Sequence, residues 1–207
     1  MREYKTVEGS FTAEYSEKHS RFIATCFHCE SENDASEIIA TQKSKYWDAR
    51  HNVYAYVLRD GTARFSDDGE PHGTAGMPVF EVIKGSGITN VLVVVTRYFG
   101  GVLLGTGGLV RAYSTSARDA LCGAQKVLMC ACKEYTVSCD YGNFDRLVRL
   151  IEDCGGMIQN TDFTDKVTVS FMFKNADCDG FLNKLCEIFA SKLTAEQQNE
   201  LFFPFKL

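Results

Sequence analysis

The most apolar run of the chain, VLVVV at residues 91–95, constrains the fold more than any other feature. A continuous apolar run of this kind is typical of a strand that is buried on both faces. Gly100 and Gly101 close the stretch NVLVVVTRYFGG, which therefore predicts a central strand of a sheet. A helix is predicted to follow from about residue 107 to residue 122.

The preceding residues predict further elements of the same sheet. SRFIATCFHC, residues 20–29, reads as a strand. Ser31 and Asp34 after it have the spacing of a helix N-terminal capping box, so a helix is predicted to begin there. HNVYAYVLRDGTARFSDD reads as two strands joined at Asp60-Gly61, a dipeptide typical of hairpin turns.

The last third of the chain predicts a second domain. YTVSCDY, FDRLVRLIEDCGG, MIQNTDFTDKVTVSFMF, DGFLNKLCEIFASKL and ELFFPFKL read in turn as strand, helix, two strands, helix and strand. The order βαββαβ is that of the ferredoxin-like fold. We therefore predict an α+β protein with domains at residues 1–133 and 134–207. The formal net charge of −5 lies wholly on residues 134–207, because acidic and basic side chains are equal in number over residues 1–133.

Charge and hydropathy exclude several classes of protein. The balance of charges argues against a generally basic nucleic-acid binder, so any contact with a polyanion has to be local. No stretch approaches the roughly 18 apolar residues that a membrane span needs, and the N-terminus is charged without an apolar signal region. These features predict a cytoplasmic protein whose nine cysteines are reduced and mostly buried.

FSDDGEPHGTAG, residues 65–76, concentrates three acids and a histidine, which is the composition of a metal-dependent site. Asp67, Asp68 and Glu70 lie so close in sequence that they converge only if the chain wraps tightly. Three readings stay open: a structural loop whose acids accept backbone N–H bonds or pair with arginine, a partner-binding surface, and a catalytic or metal site. We predict no catalytic residue, no metal ligand and no cofactor.

TRYFGGVLLGTGGLVRAYSTSARDAL, residues 96–121, holds the second candidate site. Glycines 105, 107 and 108 open the predicted helix, where backbone N–H groups form a cradle for phosphate or carboxylate. Arg111 and Arg118 share a polar stripe of this helix with Ser114 and Thr115. The stripe is either an anion-binding or RNA-binding face or a plain solvated surface. The glycines match neither a P-loop nor a dinucleotide-binding motif.

These motifs together resemble the IMPACT/YigZ family. SRF, DARHNVYAY, FSDDGEPHGTAGMP, VVVTRYFGGVLLGTGGLVRAY and EYTVSCDYGNFDRLV stand in the family's order and spacing across essentially the whole chain. The resemblance implies an N-terminal domain similar to a small-subunit ribosomal protein, to domain IV of elongation factor G and to GHMP kinases. It also implies a C-terminal ferredoxin-like domain similar to domain V of that factor, as in bacterial members. The family pattern leaves the position of His72 open, which weakens the metal reading.

Two functions from different classes follow. The favoured hypothesis is a non-catalytic, translation-linked regulatory protein that contacts RNA, the ribosome or a translation-associated protein, since eukaryotic relatives regulate translation. The alternative is a nucleotide-dependent phosphotransferase by analogy with GHMP kinases, although their G-L-G-S-S string is absent. The predicted binding residues are Asp67, Asp68, Gly69, Glu70, Pro71, Gly73, Thr74, Arg97, Tyr98, Gly100, Gly101, Gly105, Gly107, Gly108, Arg111 and Arg118.

Overall fold

The computed structural model describes residues 3–207, which form two compact units. Tyr4–Leu128 with Lys206–Leu207 form the N-terminal unit, and Met129–Phe205 form the body of the C-terminal unit. The boundary that we placed between residues 133 and 134 lies inside a strand, Lys126–Cys139. Independent folding of the two domains stays a prediction. None of the helices in the described part of the chain is long and apolar enough to cross a membrane.

The N-terminal unit is built on a five-stranded antiparallel sheet, whose strands in spatial order are β2 (Ser10–Glu17), β3 (Ser20–His28), β6 (Val91–Tyr98), β4 (His51–Val57) and β5 (Ala63–Ser66). The predicted central strand is confirmed, because β6 lies in the middle of this order. The elements of the unit are β1 (Tyr4–Val7), β2 (Ser10–Glu17), β3 (Ser20–His28), α1 (Glu32–Lys45), β4 (His51–Val57), β5 (Ala63–Ser66), α2 (Gly76–Ser86), β6 (Val91–Tyr98) and α3 (Gly105–Gly123), followed by the start of β7 (Lys126–Cys139).

The apolar run of β6 is continuous because both faces of the sheet are covered. Val93 and Val95 belong to the core that includes buried residues of α2 and α3. Leu92 and Val94 point to the other face and pack in a second cluster with Ala35 of α1. Side chains alternate between the faces of a strand, so a strand between two helical layers needs apolar residues at every position.

Local sequence signals predicted the start of α1 correctly but did not predict several other elements. The predicted capping box is present: the Asp34 N–H donates to Ser31 Oγ and the Ser31 N–H donates to Asp34 Oδ2, both at 3.1 Å. Strands β1 and β2 and helix α2 were not predicted. Glycine favours neither helix nor strand, so Gly76 and Gly85 weaken the helical signal of α2. Helix α3 begins two residues earlier than predicted, at Gly105.

The C-terminal unit has the predicted βαββαβ order, and the α+β fold class is confirmed. Its sheet contains β7, β9 (Val167–Lys174) and β8 (Met157–Phe163) in that order, and the last strand pairs with the other edge of β7. Helices α4 (Tyr141–Asp153) and α5 (Cys178–Ile188) contribute Leu147, Ile151 and Phe181 to the core, where they pack with Phe171 and Phe173 of β9. The elements after β7 are α4 (Tyr141–Asp153), β8 (Met157–Phe163), β9 (Val167–Lys174), α5 (Cys178–Ile188) and β10 (Glu196–Lys206).

Candidate functional site

Four connections meet at one end of the N-terminal sheet, which we call the loop end. Tyr98 at the end of β6 pairs with Arg21 at the start of β3, and Arg97 pairs with His51 at the start of β4. The Asn52 N–H donates to Asp68 Oδ2 at 2.7 Å. This hydrogen bond holds the connection after β5 at the same end of the sheet. The loop end therefore comprises residues 18–19, 46–50, 67–75 and 99–104. It includes most of the first predicted motif and the part of the second that joins β6 to α3.

Asp67 holds the loop 67–75 closed over the start of α2. Its carboxylate accepts backbone N–H groups from Gly73 at 2.9 Å, Ala75 at 3.2 Å and Gly76 at 2.8 Å. Burial on its own raises the pKa of Asp67, but these three N–H bonds outweigh it and hold the pKa below the usual 3.8. The side chain thus caps α2 from a position outside the helix.

An Asp67→Asn variant is expected to be less stable than the parent by about 1–2 kcal/mol at neutral pH, the usual cost of a lost N-terminal cap. The lowered pKa of Asp67 means that its stabilisation is complete above the unfolded-state pKa and is lost as the pH falls through the folded-state value. Urea unfolding between pH 7 and pH 2 should therefore show the two curves converging at the acid end. A constant difference over this range would contradict the assignment.

Asp68 ties the loop to α1 and β4. Its carboxylate accepts from Lys43 Nζ at 2.6 Å as well as from the Asn52 N–H. The imidazole Nδ1 of His51 lies 2.8 Å from the Asp68 carbonyl oxygen and donates to it, which leaves Nε2 turned toward Glu70 Oε1 at 4.0 Å. Asp68 and Gly69 adopt positive φ angles of 44° and 87°, so the chain reverses sharply at this point.

Glu70 forms a buried ion pair with Arg97. Its Oε1 lies 2.6 Å from Arg97 Nη1 and accepts the Tyr113 hydroxyl at 2.8 Å. The exposed fractions of the two charged side chains are only 4% and 7%. The Arg97 guanidinium also lies 5.5 Å from the ring centre of Phe22. Burial first, and then the adjacent Glu70 carboxylate, raise the pKa of Tyr113 far above its ordinary value, so the hydroxyl stays a donor.

All three acids of the motif are thus engaged by partners inside the unit. This geometry supports the structural-loop reading of Asp67, Asp68 and Glu70. The motif's histidine, His72, has a fully exposed side chain 3.7 Å from Asp67. Among residues 3–207, no group of three or more His, Cys, Asp and Glu side chains is arranged to hold a metal ion. Thr74 is buried and donates through its hydroxyl to the Pro71 carbonyl at 2.7 Å.

The glycines after β6 serve two different purposes. Gly100 passes so close to the backbone of His19 and Ser20 that no side chain fits, and its N–H donates to Ser20 Oγ at 3.2 Å. Gly101 and Gly105 have positive φ angles of 84° and 71°, which L-residues other than glycine rarely adopt. Gly107 and Gly108 lie in the first turn of α3, where no side chain caps the helix.

The predicted arginines do not share one surface. Arg97 is inside the unit, whereas Arg111 and Arg118 are exposed on the outer side of α3. The latter two line a cavity of about 360 Å³ together with Tyr15 and Glu17. Sequence spacing did not distinguish the buried Arg97 from the exposed Arg111 and Arg118, because burial of Arg97 depends on Glu70, which lies 27 positions away.

The loop end also exposes residues that the motif analysis missed. Trp47 is 83% exposed and Leu103 is 82% exposed, with Phe99 and Val102 both at 44%. The Tyr98 hydroxyl donates to Asp48 Oδ1 at 2.7 Å, which brings the loop carrying Trp47 to the end of β6. An apolar loop such as FGGVLL between a strand and a helix is a signal that could have found part of this surface.

Comparison with known proteins identifies the family. Residues 18–121 match the Impact N-terminal domain, and residues 137–192 match a domain of unknown function, DUF1949. The chain is 36% identical to the IMPACT family member YigZ of Escherichia coli over 174 residues, covering 82% of this chain and 85% of that protein. It is 31% identical to the IMPACT family member YvyE of Bacillus subtilis over 190 residues, covering 91% and 88%.

A solved structure agrees with this assignment. A crystal structure described as that of a hypothetical protein superposes with a TM-score of 0.63 at 32% identity, covering 96% of this chain and 98% of that one. A relative from Haemophilus influenzae, an IMPACT family member, is 34% identical over 205 residues, covering 97% of this chain and 96% of that protein. The chain therefore belongs to the IMPACT family, as its motifs predicted.

Proposed function

We propose that the chain is a translation-linked regulatory protein that binds single-stranded RNA through the loop end. One observation carries the proposal: Trp47 and Leu103, in neighbouring loops, each expose more than four-fifths of their surface. Exposed aromatic and apolar side chains on a rigid scaffold are suited to stacking with unpaired bases. The link to translation rests on what the family resemblance implies.

Stacking on this surface would use the rings nearest the end of β6. Phe99 exposes 44% of its surface and follows Tyr98, whose ring lies 5.5 Å from the Arg21 guanidinium. Trp47 stands beside Asp48, the acceptor of the Tyr98 hydroxyl. The side chains are thus carried on segments fixed by hydrogen bonds, which lowers the entropy lost when a base stacks.

Cations around these rings supply contacts for phosphate. Lys18, Lys45 and Arg50 are exposed and form no ion pair or hydrogen bond through their side chains within residues 3–207. The acidic side chains of the loop offset these positive charges only weakly, because Asp68 is paired with Lys43 and Glu70 is paired with Arg97. The free backbone N–H groups at the start of α3 lie at the same end, and Arg111 continues the positive surface along that helix.

The proposal is tested by titrating the protein with short single-stranded RNA. Trp47 is the only tryptophan of the chain, so stacking of a base on it is expected to change the intrinsic fluorescence saturably. The apparent affinity should fall with salt, with a log–log slope of roughly −1.5 to −2 for two or three phosphate contacts. By anisotropy of labelled RNA, Trp47→Ala should raise the Kd about 5- to 100-fold, as loss of one stacked base implies.

A matched control is Tyr141→Ala, which removes another exposed aromatic side chain, 57% exposed, from the C-terminal unit. It should leave the Kd unchanged. Saturable binding that is equally strong for Trp47→Ala, or no binding at low salt, would contradict the proposal. A specific rise in Tm with ATP and Mg²⁺ would instead favour the phosphotransferase alternative, since a ligand that binds the native state stabilises it.

A further inference from the structure

A groove that starts beside the loop end runs between the outer faces of α2 and α3. Its volume is about 690 Å³, and its walls lie entirely within the N-terminal unit. The two helices pack side by side. Each follows a strand that ends at the loop end, so both run away from that end. The groove therefore has a near end beside Gly73 and a far end beside Lys126.

Apolar side chains form most of the groove, and small residues leave it open. Met77 and Val82 of α2 face Val110 of α3. Gly85 and Ser114 are too small to fill the space between the two helices. Met77 and Val110 expose 41% and 37% of their surfaces, so a ligand lying here would remove apolar area from water. Binding of this kind is favoured by the hydrophobic effect.

The far part of the groove is cationic. Arg118 and Lys126 line it, and Glu81 is the only carboxylate among the lining residues. Arg118 is exposed and has no hydrogen bond or ion pair within residues 3–207. It lies five residues before the end of α3. Arg118 therefore precedes the last helical turn, where the helix dipole would repel an anion. Lys126 Nζ lies 3.5 Å from the carbonyl oxygen of Cys122 in that last turn and offsets its partial negative charge.

We infer that this groove binds a small anionic amphiphile, an unbranched aliphatic chain that carries a carboxylate. The chain would lie along Met77, Val82 and Val110, and the carboxylate would meet the guanidinium of Arg118. From Met77 to Ser86 the helix rises by about 13 Å, which suits a chain of medium length such as that of decanoate.

A small ligand fits the dimensions of the groove better than a protein helix does. The volume falls in the range of small-molecule sites, about 300–1,000 Å³. The exposed apolar rim consists mainly of Met77 and Val110. Its area is therefore far smaller than the roughly 800 Å² per partner that a stable protein interface buries. The inference goes beyond the proposed RNA surface, because Gly73 is the only lining residue of the groove that also belongs to the loop end.

The test is calorimetric titration of the full chain with decanoate below its micelle concentration. Saturable binding of one molecule per chain is expected, and 1-decanol, which lacks the charge, should bind at least tenfold more weakly. Arg118→Gln should raise the Kd about tenfold or more, since it removes a charge-assisted hydrogen bond. Arg149→Gln, which neutralises an exposed arginine of α4, should leave the Kd unchanged.

Filling the groove provides a second and independent variant. A Cβ atom at Gly85 would meet no other atom within 4 Å, so Gly85→Phe should fold normally and abolish decanoate binding. Gly180 of α5 has equally open surroundings, and Gly180→Phe is the matched control. Circular dichroism should confirm the fold of each variant. RNA binding by Gly85→Phe should equal that of the parent, so failure of this inference is distinguishable from failure of the proposed function.

Three results would overturn the inference. The first is absence of saturable decanoate binding to the parent chain. The second is an unchanged Kd in Arg118→Gln or in Gly85→Phe. The third is binding of an acidic amphipathic peptide in place of decanoate, which would make the groove a docking site for a protein partner.

Discussion

Replacing Glu70 with alanine is expected to lower the free energy of unfolding by about 3–5 kcal/mol, the usual cost of removing one partner of a buried ion pair. The Arg97 side chain, 7% exposed, would keep its charge without a counterion. Its Nε atom is already buried without a hydrogen-bond partner, and the Ser20 hydroxyl, 3.5 Å from Nη2, carries no charge that could replace that of Glu70. The Tyr113 hydroxyl, which donates to Glu70, would lose its acceptor as well.

A double variant separates the ion pair from the packing at this position. Glu70→Leu combined with Arg97→Met replaces both charges by apolar groups of similar size, and such exchanges are often neutral or stabilising. Urea unfolding at neutral pH should show that the double variant recovers most of the stability lost in Glu70→Ala. A loss below about 1 kcal/mol in Glu70→Ala would mean that the pair is solvated and does not hold the loop in place.

Gly100→Ala is expected to destabilise the N-terminal unit by at least about 3 kcal/mol, at the upper end of the range for overpacking. The new Cβ atom would overlap the backbone carbonyl group of His19 and the backbone nitrogen of Ser20. No rotamer change relieves a clash with backbone atoms. The turn between β2 and β3 or the loop 99–104 would have to move, and the hydrogen bond from the Gly100 N–H to Ser20 Oγ would be lost.

Gly107→Ala is the matched control for this variant. A Cβ atom at Gly107 meets no other atom within 4 Å, and the residue lies in α3, where alanine is preferred to glycine by up to about 1 kcal/mol. The control should therefore be as stable as the parent or slightly more stable. Equal Tm values for Gly100→Ala and Gly107→Ala would show that the two connections do not approach as closely as described.

Local signals accounted for much of the secondary structure. The apolar run at residues 91–95 predicted β6 because a strand covered on both faces needs apolar side chains on both. Ser31 and Asp34 predicted the start of α1 because capping-box bonds involve only residues close in sequence. The same holds for the hairpin at Asp60-Gly61 and for the βαββαβ order of the C-terminal unit. Helix α2 was missed because Gly76 and Gly85 weaken its helical signal and because the residue that caps its first turn, Asp67, lies nine positions before Gly76.

The sequence by itself determined most of the element types, the fold class and the family, since periodicity, turn residues and long motifs are properties of neighbouring residues. Only the tertiary structure decided what the motif residues do. The acids at 67, 68 and 70 resemble a metal site as a string, but each is engaged by groups that the fold brings from β4, α1, α2 and β6. Whether a charge is buried and paired or exposed and free depends on residues tens of positions away, which is why Arg97 and Arg118 look alike in sequence and differ in the folded chain.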